Sequence, residues 1–280
     1  MKFSIFFLLS FFVSFNLIAN DKFFLEPYKT NYILPFSYKS GENYNSYSLS
    51  DTYSNLEFEF QISLKYNFYN NLFGFNESYN VVYSQKTWWQ LYSESSPFRE
   101  FNFNPEFFVS IPFTYSVNNF KFRNLKLSFV HNSNGKGNIE ENNLILADKL
   151  NLKNNSRSHN YFEASSLMSF NNIDIEISSL INYLGSFDLS DNPDIYDYYG
   201  YLGLKLNYKL DDYNLMFSGR INPLNGNGNL EVSTYYTINK KENFYLYFKY
   251  FYGYGESLID YNNRINKVGI GIAFNLPNLF

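Results

Sequence analysis

Apolar and polar side chains alternate with a period of two along most of this chain. Clear runs of this kind begin near Leu56, Leu202, Leu230 and Val268. Successive side chains of a β-strand point to opposite faces, so each run predicts a strand with one apolar face. The runs approach or reach the roughly 9–11 residues that a tilted strand needs to cross a bilayer.

Turn-forming residues lie between the runs. They are Asn70-Asn71, Asn171-Asn172, Asp211-Asp212, Asn225-Gly226-Asn227 and Lys240-Lys241. Together, the runs and turns predict twelve strands, beginning near residues 31, 54, 77, 99, 121, 157, 173, 197, 212, 227, 242 and 264. The predicted fold class is all-β, a twelve-stranded antiparallel transmembrane β-barrel. The alternative is a β-sandwich secreted to the periplasm, but a sandwich rarely sustains so many long alternations.

The composition agrees with a barrel of the bacterial outer membrane. Aromatic residues make up 22% of the chain, mainly 28 Tyr and 32 Phe. Such barrels need an apolar outer band and aromatic girdles around a polar interior. The absence of cysteine from the sequence excludes a disulfide scaffold and a thiolate metal site. A net charge of −4 offers no strongly basic surface for nucleic acid.

The first twenty residues have the pattern of a signal peptide. Lys2 precedes a mostly apolar stretch from Phe3 to Ile18, and Ala19 offers a small residue for cleavage. We therefore predict a signal peptide over residues 1–20 and a barrel domain over residues 21–280. An uncleaved anchor helix is the alternative for the first segment.

An even number of strands places both ends of the chain on the periplasmic side. The two longest connections, residues 134–156 and 184–196, follow the fifth and seventh predicted strands. Both are therefore predicted to lie outside the cell, where barrel loops are usually longer. The chain ends in Phe280, which resembles the terminal aromatic signal that outer-membrane barrels present to their assembly machinery.

The fifth predicted strand carries candidate catalytic residues on its apolar face. His131 and Ser133 continue the parity of Leu125, Leu127 and Phe129, so they are expected to face lipid at the outer end of the strand. Polar groups on a lipid-exposed face are costly and usually functional. An imidazole beside a serine hydroxyl can take its proton and make it a nucleophile.

A third group is needed to fix the tautomer of the histidine. Asn160 has the outward parity of the sixth predicted strand and would stand beside His131, where its carbonyl can accept the Nδ1–H. On spacing alone, a His-x-Ser sequence is more often a chance occurrence than a catalytic pair. The second histidine, His159, has inward parity and is interpreted as a lumen or rim residue.

Longer motifs add to this pattern. Six segments of the chain, in this order, resemble segments of a known family, the bacterial outer membrane phospholipase A. They are Tyr83–Leu91, Ser95–Glu100, His131–Lys136, Ser156–Asn160, Asp191–Ile195 and Tyr254–Asn262. The resemblance spans roughly residues 25–280.

The resemblance implies a twelve-stranded barrel with a Ser-His-Asn triad, formed here by Ser133, His131 and Asn160. It also implies calcium (Ca²⁺) bound where two barrels meet side by side, with dimerisation switching activity on. The implied calcium ligands are the Ser156 side chain, the Lys136 backbone carbonyl and Ser95 of the partner subunit, and Asp191 matches a family residue tied to calcium binding. Gln85 matches a lipid-facing glutamine that forms hydrogen bonds across the dimer.

One segment departs from the family. Asn160 follows Ser133 by 27 positions, and the family's loop is markedly shorter. The extra stretch carries Glu140, Glu141 and Asp148, which can supply calcium ligands or cover the active site. Lys136 replaces an arginine of the family, a change that a backbone carbonyl ligand should tolerate. The departure therefore bears on the ligands more than on the triad.

Two functions remain as hypotheses from the sequence. The first is an outer-membrane enzyme that hydrolyses acyl esters of phospholipids and lysophospholipids as a calcium-dependent homodimer. The second is a non-catalytic barrel, such as a small pore or an adhesin. A triad that faces lipid has no use in a pore and favours the enzyme.

Overall fold

The structure is a computed structural model, and it describes residues 24–44, 53–137, 155–181, 189–277 and 279. Several expectations from the sequence fall outside these ranges. They concern the signal peptide of residues 1–20, much of the two long connections, Glu140, Glu141, Asp148 and the terminal Phe280.

Twelve long strands account for most of the described chain, and we label them β1 to β12 in chain order. Their bounds are Tyr32–Lys39, Leu56–Asn70, Ser78–Trp89, Phe98–Val117, Phe120–Ser133, Ser158–Phe170, Ile173–Ile181, Leu202–Lys209, Tyr213–Ile221, Gly228–Asn239, Phe244–Gly253 and Ile265–Ala273. One short helix, α1 (Ile195–Tyr199), lies between β7 and β8. No helix in the described ranges is long and apolar enough to cross a membrane.

Every strand pairs antiparallel with its neighbours in sequence, and the last strand returns to the first. β12 lies beside β1, with Val268 opposite Tyr38, and this pairing closes the sheet into a barrel. Alternate residues point inward and outward, because side chains of a strand alternate between its faces. The predicted fold class of a twelve-stranded antiparallel barrel is therefore confirmed.

Eleven of the twelve strands begin within two residues of the predicted positions. The exception is the eighth strand, predicted near residue 197, where the chain forms α1 and β8 begins at Leu202. The side chains of Ile195 and Tyr196 are buried in a cluster with Leu258, and this packing favours a helical turn over the strand preference of the aromatic residues. Gly200, at φ 82°, then turns the chain into β8.

The segment before β1 enters the barrel. Glu26–Pro27 forms a two-residue strand beside Lys65 and Leu64 of β2. The Lys29 ammonium donates to the side-chain Oδ1 of Asn104 at 2.6 Å. Alternation did not predict this segment, because its few residues are held by contacts with distant strands and have no period of their own.

Buried ion pairs lie in the lumen at the end of the barrel that carries Ser133. Nε and Nη2 of Arg99 donate to the Glu57 carboxylate at 2.9 and 3.1 Å, and Nη1 donates to Asp260 at 2.6 Å. Lys267 contacts Glu57 at 2.5 Å and Glu256 at 3.1 Å. Arg99 joins β2, β4 and the connection between β11 and β12, so it ties together strands that are far apart in sequence.

Loss of Arg99 should weaken the barrel strongly. An Arg99→Met substitution leaves three buried carboxylates, Glu57, Glu256 and Asp260, with fewer partners inside the lumen. Removing one partner of a buried pair costs about 3–5 kcal/mol. We expect the free energy of unfolding, measured by urea titration in micelles, to fall by that amount. The control is Lys240→Met, which removes an exposed pair with Asp212 at 3.6 Å and should cost at most about 1 kcal/mol. Equal losses in the two variants would contradict the account.

Candidate active site

The outer face of β5 carries His131 and Ser133. The preceding residues of the same parity are exposed, Leu125 by 47% and Leu127 by 54%, and they form part of the apolar outer wall. His131 and Ser133 are half-buried at the end of this strand. The neighbouring residues of opposite parity, Val130 and Asn132, are buried. The predicted outward position of the His-Ser pair agrees with this pattern.

Asn160 lies directly opposite His131 on the adjacent strand β6. The Oδ1 atom of Asn160 is 2.7 Å from Nδ1 of His131. Because an amide oxygen only accepts hydrogen bonds, this contact requires the proton of the imidazole on Nδ1. Nε2 of His131 is thereby left as the basic nitrogen, on the tautomer that a general base needs.

Ser133 lies at the last position of β5, opposite Phe103 on one side and Ser158 on the other. No hydrogen bond joins its hydroxyl to His131 within the described part of the chain. The two residues share one face of the strand, with Cα atoms roughly 6.6 Å apart. Catalytic hydrogen bonds are often long in unliganded enzymes and shorten when substrate binds.

Asn134 fixes the chain that leaves Ser133. It is buried, and its backbone N–H donates to the Arg157 carbonyl at 3.0 Å. Its side chain donates to the Asn155 carbonyl at 2.7 Å and accepts from the Arg157 N–H at 3.0 Å. The adjacent Gly135 has φ 65°, and a Cβ there would lie 2.8 Å from the Phe103 ring. We call these hydrogen bonds of Asn134 to Asn155 and Arg157 the clamp. Periodicity could not reveal the clamp, because Asn134 lies past the end of the strand.

The residues implied as calcium ligands lie in three neighbouring connections. The Ser156 hydroxyl donates to the Asp191 carboxylate at 2.7 Å, so these two oxygen donors are in contact. The Lys136 ammonium donates to the Arg99 carbonyl at 3.1 Å and lies 3.5 Å from Glu100. Ser95 is exposed in the turn between β3 and β4, with φ 58°. The described residues contain no cluster of three or more His, Cys, Asp or Glu side chains able to hold a metal.

His159 faces the lumen and is completely buried. Its ring stacks on Tyr161 at 5.4 Å and meets Tyr196 and Tyr199 of α1 edge-on. Neither ring nitrogen has a hydrogen-bond partner within the described residues. The interpretation of His159 as a residue of the lumen side agrees with this position.

The Gln85 side chain is half-buried and lies on the outer face of β3. It accepts a hydrogen bond from Tyr83 at 2.9 Å and donates to Thr87 at 3.2 Å. The three side chains therefore form a short polar strip on the outer wall.

Comparison with known proteins identifies the family. A family model described as Phospholipase A1 matches residues 14–274. The chain belongs to the phospholipase A1 family. The phospholipase A1 of Proteus vulgaris is 33% identical over 271 residues, which cover 93% of this chain and 86% of that protein. The phospholipase A1 of Escherichia coli K12 is 34% identical over 270 residues, with the same two coverages.

Solved structures of this family have the same barrel. The outer membrane phospholipase A of Escherichia coli is 32% identical with a TM-score of 0.76, over 91% of this chain and 99% of that chain. A calcium-bound dimer of the Salmonella typhi outer membrane phospholipase is 32% identical with a TM-score of 0.77, over 92% of this chain and 94% of that chain. The resemblance found in the motifs is confirmed, and the chain is an outer membrane phospholipase, a hydrolase of ester bonds.

Proposed function

We propose that this chain hydrolyses acyl ester bonds of phospholipids and lysophospholipids, with Ser133, His131 and Asn160 as its catalytic triad. One observation carries the proposal: Nδ1 of His131 is 2.7 Å from Oδ1 of Asn160, beside a serine on the lipid-facing wall. The activity is proposed to be that of a phospholipase A1 and A2 and of a lysophospholipase, dependent on calcium and on dimerisation.

In the first half of the proposed reaction, Nε2 of His131 removes the proton of the Ser133 hydroxyl while the oxygen attacks the ester carbonyl. The hydrogen bond to Asn160 keeps the ring in the tautomer that can accept this proton. The resulting imidazolium then protonates the departing glycerol oxygen as the ester bond breaks. The products are an acyl group attached to Ser133 and the lipid that has lost it. This lipid is a lysophospholipid when the substrate is a phospholipid, and a glycerophosphoester when the substrate is a lysophospholipid.

The second half releases the fatty acid. His131 takes a proton from a water molecule, whose oxygen attacks the acyl carbonyl. The imidazolium returns the proton to the Ser133 oxygen, so the enzyme regains its starting state. Asn160 is neutral, and it therefore orients the ring more than it stabilises the positive charge.

The outer wall of the barrel suits a lipid substrate. Leu125, Leu127 and Phe129 continue the face of Ser133 toward the middle of the membrane. An acyl chain lying along this wall places its ester near the end of β5. The site therefore takes substrate from the bilayer, and the proposal needs no path through the lumen.

The donor set near Ser133 fits calcium. The contact between the Ser156 hydroxyl and the Asp191 carboxylate joins two oxygen donors, and hard cations prefer oxygen ligands. We propose that Ser156, Asp191 and the Lys136 carbonyl hold the ion, with Ser95 of the partner subunit completing the set. Bound there, calcium supplies positive charge for the developing oxyanion.

A dimer is proposed because a relative forms a calcium-bound dimer and because the family resemblance implies one calcium ligand, Ser95, from the partner subunit. Gln85 is proposed to lie at the interface. In the single chain its amide bonds only Tyr83 and Thr87 among the described residues. The half-buried Gln85 amide on the outer wall can exchange these partners for groups on a second barrel.

Asn160→Ala should lower turnover without removing it. The variant loses one hydrogen bond to a group that becomes charged, and such a bond contributes about 1.5–3 kcal/mol. We expect kcat on a lysophospholipid to fall by about tenfold to a hundredfold. Asn160→Asp is the companion variant, because it keeps the acceptor and should retain more activity than the alanine variant. Wild-type activity in Asn160→Ala would contradict the role of this residue.

The proposed function is tested with purified protein in detergent micelles. Fatty-acid release from a phospholipid and from a lysophospholipid is measured with calcium and with a chelator. We expect release from both substrates with calcium and none with the chelator, and restored release when calcium is returned. Ion conductance across planar bilayers without any acyl release would instead support a pore.

A further inference from the structure

At the outer end of β6, side chains form hydrogen bonds with the backbone along one edge of the strand. One edge of this strand pairs with β5, where Asn134 N–H donates to the Arg157 carbonyl. The backbone groups of Ser158 and Asn160 point to the opposite edge, toward β7. The described ladder between β6 and β7 starts at the pair Phe162–Ile181, and residues 182–188 lie outside the described ranges.

We call the segment of residues 189–199 the brace. Two of its side chains form hydrogen bonds with these backbone groups. The Asn192 Oδ1 accepts the Ser158 N–H at 2.9 Å. The Tyr196 hydroxyl donates to the Asn160 carbonyl oxygen at 3.0 Å. The pattern is one donor and one acceptor at alternate residues, which is what a neighbouring strand provides in an antiparallel ladder.

Tyr196 is itself held firmly. Its ring is buried beside Ile195, Leu258 and Tyr261. Its own carbonyl accepts a hydrogen bond from the Asn222 amide at 3.2 Å. Burial, together with the nearby Tyr199, raises the pKa of Tyr196 well above its ordinary value, so the hydroxyl keeps its proton and remains a donor.

We infer that Tyr196 is a positioning residue that holds the β6 backbone so that the Asn160 side chain reaches His131. This inference rests on the proposed triad. Tyr196 donates to the backbone carbonyl of Asn160, and the side-chain Oδ1 of the same Asn160 is 2.7 Å from Nδ1 of His131. A displacement of about 1 Å in such a group can cost a hundredfold in rate. Tyr196 contacts neither of the two residues proposed to react, so its effect passes through Asn160.

Tyr196→Phe removes the hydroxyl and leaves the ring in its apolar cluster, so the variant should fold. We expect kcat on a lysophospholipid to fall by about threefold to tenfold, the effect of one net hydrogen bond. KM should stay unchanged, because the bond touches no lipid-facing group. The calcium concentration that gives half-maximal activity should also stay unchanged, because the Ser156–Asp191 contact does not involve Tyr196.

The matched control is Tyr199→Phe. Tyr199 lies on the same helix, and its ring is 5.3 Å from the His159 ring. Its hydroxyl forms no hydrogen bond with β6 in the described part of the chain. The control should therefore keep the wild-type kcat and show the same heat-modified mobility as Tyr196→Phe.

A double-mutant cycle with Asn160→Ala separates positioning from general weakening of the barrel. When Asn160 has no side chain to place, loss of the Tyr196 hydroxyl should change kcat by less than twofold. A further fall in kcat of about threefold to tenfold in the Asn160→Ala background would overturn the inference. Equal kcat values for Tyr196→Phe and Tyr199→Phe would also overturn it. An inactive wild-type protein in calcium would instead refute the proposed function, and this inference with it.

Discussion

Ser133→Ala is expected to abolish lipid hydrolysis while leaving a folded barrel. The hydroxyl is the proposed attacking group, and no second nucleophile is proposed at this site. Removing the nucleophile of a serine hydrolase costs about 10⁶-fold in kcat, so fatty-acid release should fall to the level without enzyme. The measurement is acyl release from a lysophospholipid in calcium, together with heat-modified mobility on electrophoresis to show that the barrel is intact.

Ser166→Ala is the matched control for this variant. Ser166 lies on the outward face of β6, opposite Leu125 and well away from the end of the strand. It loses the same hydroxyl from the same lipid-facing wall, so its activity should equal that of the wild type. Activity that survives in Ser133→Ala would rule out Ser133 as the nucleophile.

His131→Asn should have an effect of similar size. Without the imidazole, no base removes the proton of the Ser133 hydroxyl. No acid then protonates the leaving glycerol oxygen. Loss of the histidine of such a triad costs about 10⁶-fold in kcat. We expect no measurable acyl release, with mobility on electrophoresis unchanged, because His131 is half-buried on the outer wall and ties no strands together through the lumen.

The second histidine supplies the control. His159→Phe replaces a ring whose two nitrogens lack partners in the described structure, in a pocket built from Tyr161, Tyr196 and Tyr199. Exchanging an unsatisfied buried polar group for an apolar one of similar shape is nearly neutral or stabilising. The variant should keep its activity and its resistance to urea. A loss of activity as large as that of His131→Asn would mean that the two histidines had been assigned the wrong way round.

Alternation could predict the barrel because a membrane barrel applies one rule to every strand. Glu57 and Glu59 fall on the polar parity of β2, and the structure buries both in ion pairs inside the lumen. Leu125 and Leu127 fall on the apolar parity of β5 and are exposed on the outer wall. The same rule placed His131 and Asn160 on outward faces, and the register of β5 against β6 brought them together.

The periodic rule does not reach the connections. Residues 195–199 have the aromatic and β-branched composition of a strand, yet they form a helix, because Ile195 and Tyr196 pack beside Leu258 from a distant connection. The clamp at Asn134 and the brace at Asn192 depend on hydrogen bonds between segments that are 21 to 36 residues apart in sequence. No period marks these bonds, and although Asn134 and Asn192 lie in segments that resemble the family, the resemblance implied no role for either side chain. The calcium roles of Ser156 and Asp191 were implied by the resemblance and not by spacing, and their contact is seen only in the structure.

Covalent labelling of the nucleophile tests the assignment of Ser133 as the attacking residue. A long-chain alkyl fluorophosphonate is added to the protein in micelles with calcium, and the modified residue is found by mass spectrometry. The serine oxygen bonds to phosphorus and fluoride leaves, so the adduct marks the residue that attacks. We expect one adduct, on Ser133, which is absent in His131→Asn and absent with a chelator. An adduct on another residue of an active protein, or full activity without an adduct on Ser133, would contradict the account.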